Sequence, residues 1–228
     1  MARTESVQPA EAVQLWLVRP EPVRPDELAA LDSEERRRAE AFRGSADRML
    51  YLSAHLALRR VLAARLGHVA PQEVRIVRDR NGRPTLPGDR PPFHFSLSHS
   101  AGLALLGTAP VRIGVDVQRT LSRTTADLCG RRLHPAEQEE LASVQPSARA
   151  AHFTRLWTRK EAYLKGLGVG LSRSLAADYL GVDRPDTPAG WTVLDVPCGE
   201  SHLASAAVQS RSPLPVTLRW LLRSADHV

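Results

Sequence analysis

Lysine is almost missing from this chain of 228 residues. Lysine and arginine together number 31, yet only Lys160 and Lys165 are lysines. Both fall in one short stretch, Trp157-Thr-Arg-Lys-Glu-Ala-Tyr-Leu-Lys165. A desolvated ammonium can lose its proton near neutral pH, whereas a guanidinium effectively cannot. Retained lysines are therefore candidates for chemistry, set against the plain alternative of two lysines on a solvated helix. Cysteine is just as scarce: Cys129 and Cys198 stand apart, with no CxxC spacing. That excludes a disulfide framework and a cysteine-rich metal site. Aromatic residues make up 5% of the chain and are not interleaved with the basic ones, which argues against a single-strand stacking platform. No apolar run approaches the roughly 18 residues of a membrane span. The start, Met1-Ala-Arg-Thr-Glu-Ser, lacks the apolar stretch of a secretory signal. A cytoplasmic protein without membrane attachment is expected.

What remains is ordinary for a globular chain: 43% hydrophobic and 25% charged residues, enough for one large domain or two small ones. The net charge of +6 and a pI near 10.1 suit an anionic partner. Nucleic acid, an acidic protein and a phosphorylated small molecule all qualify.

Alternation and periodicity predict a first strand over Val13–Val18, a charged helix over Pro25–Phe42 and an amphipathic helix over Asp47–Leu66 that stops at Gly67. A short strand is expected at Val74–Val77, then a turn at Asp79-Arg-Asn-Gly82. Phe93–Leu97, Leu103–Gly107 and Ile113–Val117 read as strands. Beyond Arg119, Pro135–Val144 and Ser147–Gly166 read as helices, and Trp191–Val196, Leu203–Val208 and Val216–Leu221 as strands. Segments 84–92 and 183–190 read as loops. Each part offers helices packed on a small sheet, so the expected class is α+β, divided into residues 1–118 and 119–228.

Four places carry candidate chemistry. Glu161 and Lys165 lie four residues apart, one helical turn on the same face, with Trp157 on that stripe. Asp116 and Gln118 share one face of an otherwise apolar strand, where a carboxylate must find a cation or an ion pair. Magnesium fits, and so does an arginine partner. In Phe95-Ser-Leu-Ser-His-Ser100, alternation places Ser96, Ser98 and Ser100 opposite His99; the serines suit a phosphate or a polar ligand, and no G-x-S-x-G elbow supports a hydrolase. The arginines Arg36, Arg37, Arg38, Arg43, Arg48, Arg78 and Arg83 suit either a solvated face or a phosphate grip.

Taken in order, Asn81-Gly-Arg-Pro84, Phe95–Ser100, Ile113-Gly-Val-Asp-Val117 and Phe153–Lys165 resemble the signatures of the 4'-phosphopantetheinyl transferase superfamily, surfactin-type branch. The resemblance implies two pseudo-symmetric α+β halves with the active site in the cleft between them. It implies Mg²⁺-dependent transfer of the phosphopantetheine arm of coenzyme A to a serine of an acidic acyl or peptidyl carrier protein, with release of adenosine 3',5'-bisphosphate. Carriers of fatty acid, polyketide and nonribosomal peptide synthesis all qualify. Asp116 and Glu161 match metal ligands, and Gln118 stands where many members carry a third acid. Lys165 matches a lysine beside the reacting phosphate. Ser98 and His99 match coenzyme A contacts. Arg83 replaces a lysine expected near the nucleotide. Arg38 matches a basic position associated with the 3'-phosphate, and Arg78 is a looser match. Glu137 matches the glutamate of an F-S-x-x-E stretch whose aromatic is here Leu133. For the base that takes the serine proton, Glu161 comes first and Glu137 second, with Lys165 as a third choice. The cleft is complete within one chain, so a monomer is expected, with no nucleic acid partner. The competing class is a basic nucleic-acid-binding module, which accounts for the charge and leaves Asp116, Glu161 and Lys165 unexplained.

Overall fold

A nearly unbroken apolar run, buried except at Gln14, makes Val13–Val18 a strand, β1, with the bounds expected. The computed structural model describes residues 12–89, 91–170, 173–182 and 188–221. The first five residues of the expected loop 183–190 lie outside these. The helix expected over Pro25–Phe42 is two elements: a 3₁₀ turn, Pro25–Ala30, and the helix α1, Ser33–Ala41. Asp32 makes the break. Its Oδ1 accepts from the Glu35 amide (2.8 Å), while Glu35 Oε2 accepts from the Asp32 amide (2.9 Å), a reciprocal N-terminal cap.

The long helix α2 spans Ser45–Arg65. Its Arg59 is buried among apolar neighbours because its donors are matched: Glu35 at 2.7 Å, Asp32 at 2.8 Å and the Val74 carbonyl at 3.1 Å. The strand expected at Val74–Val77 shrinks accordingly. Pro71–Glu73 is a 3₁₀ turn, and β2 is only Val77–Arg78, paired with β3, Pro84–Thr85. Between them, Asp79 Oδ1 accepts from the amides of Asn81 and Arg83, and Gly82 takes φ +80°.

β4 (His94–Ser100), β5 (Leu103–Ala109) and β6 (Ile113–Arg119) follow. A short helix α3, Arg123–Cys129, was not expected; Ser122 caps it by accepting from the Thr125 amide. α4 is Pro135–Ser143 and α5 is Arg149–Leu167. β7 (Thr192–Asp195), β8 (His202–Val208) and β9 (Val216–Trp220) close the described chain.

Beside the β2–β3 hairpin, the two larger sheets among the described residues are ordered β4-β5-β1-β9 and β6-β8-β7. Pairing is antiparallel except for β9, which lies parallel to β1. Leu15, Leu17 and Leu105 of the first sheet pack face to face on Ile113, Val115, Ala204 and Ala206 of the second. The outer face of the first sheet holds α2 through Trp16, Leu106 and Phe95. The outer face of the second holds α5 through Ala162, Tyr163, Trp191 and Ala207. The result is helix, sheet, sheet, helix: the α+β class expected. Among the described residues β6 pairs with β8, and β9 returns to β1.

Two contacts set the site. Serines of β4 reach across to β6: Ser96 Oγ accepts from the Val115 amide (3.1 Å), Ser100 Oγ from the Arg119 amide (3.2 Å), and Ser98 Oγ donates to Asp116 (2.7 Å). These side chains stitch the sheet edges together without a strand ladder. Glycines then bring α5 onto β6 backbone to backbone. A Cβ on Gly114 would stand 2.0 Å from the Ala162 carbonyl oxygen, and one on Gly166 would stand 2.5 Å from the Trp191 ring. No helix among the described residues is long and apolar enough to cross a membrane.

Candidate active site

α1, α2, the β2–β3 hairpin, β4 and the end of α5 enclose a groove of about 440 Å³. One end of it is a cluster of charge. Asp116 points from the α5-facing side of β6 and is 6% exposed. Its Oδ1 accepts from Lys165 Nζ at 2.6 Å and from Ser98 Oγ at 2.7 Å, and Lys165 Nζ also donates to Ser98 Oγ at 3.0 Å. Glu161, one turn earlier on α5, is half-buried. Burial raises its carboxyl pKa, the neighbouring Asp116 charge raises it further, and Lys165 opposes both. Two carboxylates and one ammonium therefore share this corner, leaving negative charge in excess. β-strand alternation aims Asp116, the helical repeat aligns Glu161 with Lys165, and the Gly114–Gly166 approach brings the two elements together.

Gln118 is half-buried on the same face of β6 as Asp116. No group of three or more His, Cys, Asp or Glu side chains able to hold a metal occurs among the described residues. Asp116 and Glu161 alone are nevertheless a hard oxygen donor pair, and magnesium needs only one or two carboxylates when substrate phosphate and water complete its shell. The two acids fit that ion.

Along the groove, Arg83 Nη1 donates to the Gly166 carbonyl (3.0 Å) and Nη2 to the Ile113 carbonyl (2.9 Å), tying the end of α5 to the start of β6. Its pKa is pushed down by burial first and by Arg112 second. Arg78 donates to the Gly82 carbonyl (2.9 Å) and lies 3.4 Å from Glu34. Arg38 is half-exposed and paired with Glu34 at 2.7 Å. His99 projects into the groove, edge-on to Tyr51 with ring centroids 6.2 Å apart. Its ring keeps access to solvent, yet crowding by the groove walls, then His55 and Lys165, holds its pKa below the usual histidine value.

Of the expected residues, Arg38, Arg78, Arg83, His99 and Lys165 line this groove. Ser98, Asp116 and Glu161 close its charged end. Glu137 does not join them. It is fully buried on α4, with Oε2 facing Lys160 Nζ (2.8 Å) and accepting from the His134 amide (3.0 Å), while Oε1 accepts from the Leu180 amide (2.7 Å). With both oxygens committed, Glu137 is corrected from candidate base to structural anchor. Sequence reading also passed over Tyr51 and His55, which wall the groove from α2; their spacing of four residues was the available signal.

Comparison with known proteins meets this geometry from another side. Residues 112–211 match the family model described as 4'-phosphopantetheinyl transferase superfamily, and residues 22–111 match that of 4'-phosphopantetheinyl transferase, N-terminal. The chain is 32% identical over 213 residues to the 4'-phosphopantetheinyl transferase HetI of Nostoc sp., covering 87% of this chain and 88% of that one. It is 35% identical over 166 residues to a putative 4'-phosphopantetheinyl transferase of Synechocystis sp., covering 71% and 67%. A 4'-phosphopantetheinyl transferase of Bacillus subtilis is 28% identical over 148 residues, 65% of each chain. The chain belongs to the 4'-phosphopantetheinyl transferase superfamily and is a transferase.

Proposed function

We propose that this protein transfers the phosphopantetheine arm of coenzyme A to a serine of an acyl or peptidyl carrier protein, with Mg²⁺, releasing adenosine 3',5'-bisphosphate. The observation that carries the reading is the convergence of Asp116, Glu161 and Lys165 at the closed end of a groove whose lining includes Arg38, Arg78, Arg83 and His99. The carrier hydroxyl attacks the phosphorus that bears pantetheine. The new bond is serine oxygen to phosphorus, and the bond that breaks is the pyrophosphate P–O bond. The nucleotide leaves with that electron pair.

Asp116 and Glu161, with the Gln118 amide as a third donor, would hold the metal, which supplies charge neutralisation on the pyrophosphate. Lys165 places an ammonium beside the leaving phosphate, and Ser98 orients both Lys165 and Asp116 by its hydrogen bonds. Glu161 takes the serine proton, directly or through water. Arg83 and Arg78 frame the nucleotide side, with His99 as a further contact.

The whole constellation comes from one chain, drawn from residues 1–118 and 119–228, which supports action as a monomer. The net charge of +6 suits an acidic carrier surface. A cytoplasmic setting suits the two free thiols, Cys129 and Cys198. The test is to incubate the protein with coenzyme A, magnesium and a panel of apo-carriers and read intact mass. A carrier that gains the phosphopantetheine arm in wild type and stays unmodified with Asp116→Ala supports the reading. No modification of any carrier, with duplex DNA bound tightly instead, overturns it.

A further inference from the structure

The last turn of α5 carries Lys165, and it ends in carbonyls that no further turn can satisfy. Backbone answers two of them: the Gly168 amide donates to the Leu164 carbonyl at 3.0 Å and to the Lys165 carbonyl at 3.2 Å. The next three are met by side chains from outside the helix. Arg83 Nη1 donates to the Gly166 carbonyl (3.0 Å), Arg112 Nη1 to the Leu167 carbonyl (3.2 Å) and Asn81 Nδ2 to the Gly168 carbonyl (2.7 Å). Asn81 and Arg83 come from the β2–β3 turn, and Arg112 from the turn between β5 and β6. Two of these donors are cations, the charge that the carboxyl end of a helix favours.

Arg83 does more than cap. Its Nη2 donates to the carbonyl of Ile113, the first residue of β6, at 2.9 Å. One planar guanidinium therefore joins Gly166, the neighbour of Lys165, to the strand that carries Asp116. The Lys165–Asp116 pair, 2.6 Å apart, is assembled from the same two elements. The turn that presents Arg83 is itself fixed. Asp79 Oδ1 accepts from the amides of Asn81 and Arg83, and the Asp79 amide donates to the Arg83 carbonyl at 3.0 Å. That turn rests on the helix end: a Cβ added to Gly168 would stand 3.4 Å from Arg83 Cδ. The fork matters as much as the charge. An ammonium is a point charge on a flexible stem, with no rigid prongs to span two carbonyls.

We infer that Arg83 is a positioning residue of this transferase: with Asn81 and Arg112 it caps the end of α5 and locks that end to β6, which holds Lys165 against Asp116. The inference deepens the transfer reading and rests on it. It separates Arg83 from a residue whose charge merely attracts the nucleotide. A nucleotide contact acts on binding, whereas a positioning residue acts on the chemical step. A shift of about 1 Å at a reacting group can cost about 100-fold in rate.

The test compares wild type, Arg83→Lys and Arg83→Met on an apo-carrier that wild type modifies. It reads kcat and the KM for coenzyme A, the calorimetric affinity for adenosine 3',5'-bisphosphate, and the acetylation rate of each lysine with acetic anhydride, followed by peptide mass. The wild-type chain has only Lys160 and Lys165 to label, and Lys160, 2% exposed, reports on the interior. The expected kcat falls about ten-fold in Arg83→Lys and about 100-fold in Arg83→Met, with KM and bisphosphate affinity within about two-fold of wild type. In Arg83→Met, Lys165 is expected to acetylate about five-fold faster while Lys160 keeps its rate. A wild-type kcat in Arg83→Lys overturns the inference, because charge alone then suffices. Weakened bisphosphate binding with kcat unchanged also overturns it and makes Arg83 a nucleotide contact. Equal acceleration at both lysines reveals general loosening and overturns it as well. Wild type that modifies no carrier overturns the transfer reading itself, and this inference with it.

Discussion

The two lysines of this chain sit five residues apart on α5, and each faces a carboxylate, yet the two pairs behave as different objects. Lys160 and Glu137 are 2% and 0% exposed, with Nζ to Oε2 at 2.8 Å. Their remaining capacity is filled by the Asp178 carbonyl and by the amides of His134 and Leu180. Desolvation pushes the Lys160 pKa down, and Glu137 opposes it. This pair holds the irregular 173–182 segment to α4 and α5. The side chains of Lys165 and Asp116 are 33% and 8% exposed and meet at 2.6 Å, they open on a groove, and Glu161 adds a second carboxylate. A saturated ion pair in the interior stabilises one arrangement. An incompletely balanced one at a cleft can exchange its partner for a ligand's charge.

The sharpest way to break that contrast is to remove each lysine in turn. Lys165→Met is expected to lower carrier modification about 100-fold or more while leaving unfolding in urea close to wild type. Lys165→Arg keeps charge and recovers only part of the rate, so equal turnover in all three proteins defeats the catalytic assignment. Lys160→Met shows the reverse balance. It strands a buried Glu137 carboxylate, and a loss of about 3–5 kcal/mol is expected by denaturant titration. A double change to Lys160→Met with Glu137→Leu recovers much of that. If Lys160→Met proves no less stable than Lys165→Met, the two pairs are not different in kind.

Gly114→Ala probes how the open pair is assembled. The new methyl would meet main-chain atoms of α5, the Ala162 oxygen at 2.0 Å and the Gly166 nitrogen at 2.3 Å, and backbone cannot step aside as a side chain does. About 1–3 kcal/mol of stability is expected to be lost, with carrier modification falling further than the folded fraction. Activity that simply tracks the folded fraction would separate the glycine contact from the site.

The smallest effect is in titration. Glu161 observed by carbon NMR is expected to ionise above the ordinary glutamate value. Asp116→Asn lowers that value without restoring it, because burial, the larger cause, remains. The sign for stability follows: a carboxyl whose folded pKa is raised adds stability below its unfolded value and loses it as pH climbs through the folded one. A Glu161 that titrates identically with and without the Asp116 charge means that the two acids are not neighbours in solution.

Much was legible in order and pattern. β1 appeared at its observed bounds because a short apolar run, VQLWLV, is long enough for a strand buried on both faces and too short for a core helix. Glu161 and Lys165 were set side by side by helical periodicity, and Ser98 opposite His99 by strand alternation. Other features were not readable. The Pro25–Phe42 helix split because Asp32 and Glu35 close on each other, and Arg59 from another helix rewards that closure. Glu137 was grouped with the chemistry because its motif travels with the others; only packing shows its oxygens spent on Lys160 and Leu180. The last strand, expected with the second part, lies parallel to β1, a pairing between opposite ends of the described chain.

The sequence by itself determined which residues of this transferase point the same way: period two along Ile113–Val117 and period 3.6 along Trp157–Lys165 are local consequences of backbone geometry. Only tertiary structure decided which of those faces meet. Whether a lysine finds a saturated buried partner or an open one depends on groups brought from elsewhere. Here that choice was made by two glycines letting one helix rest on one strand, and by a row of serines joining two sheets at their edges.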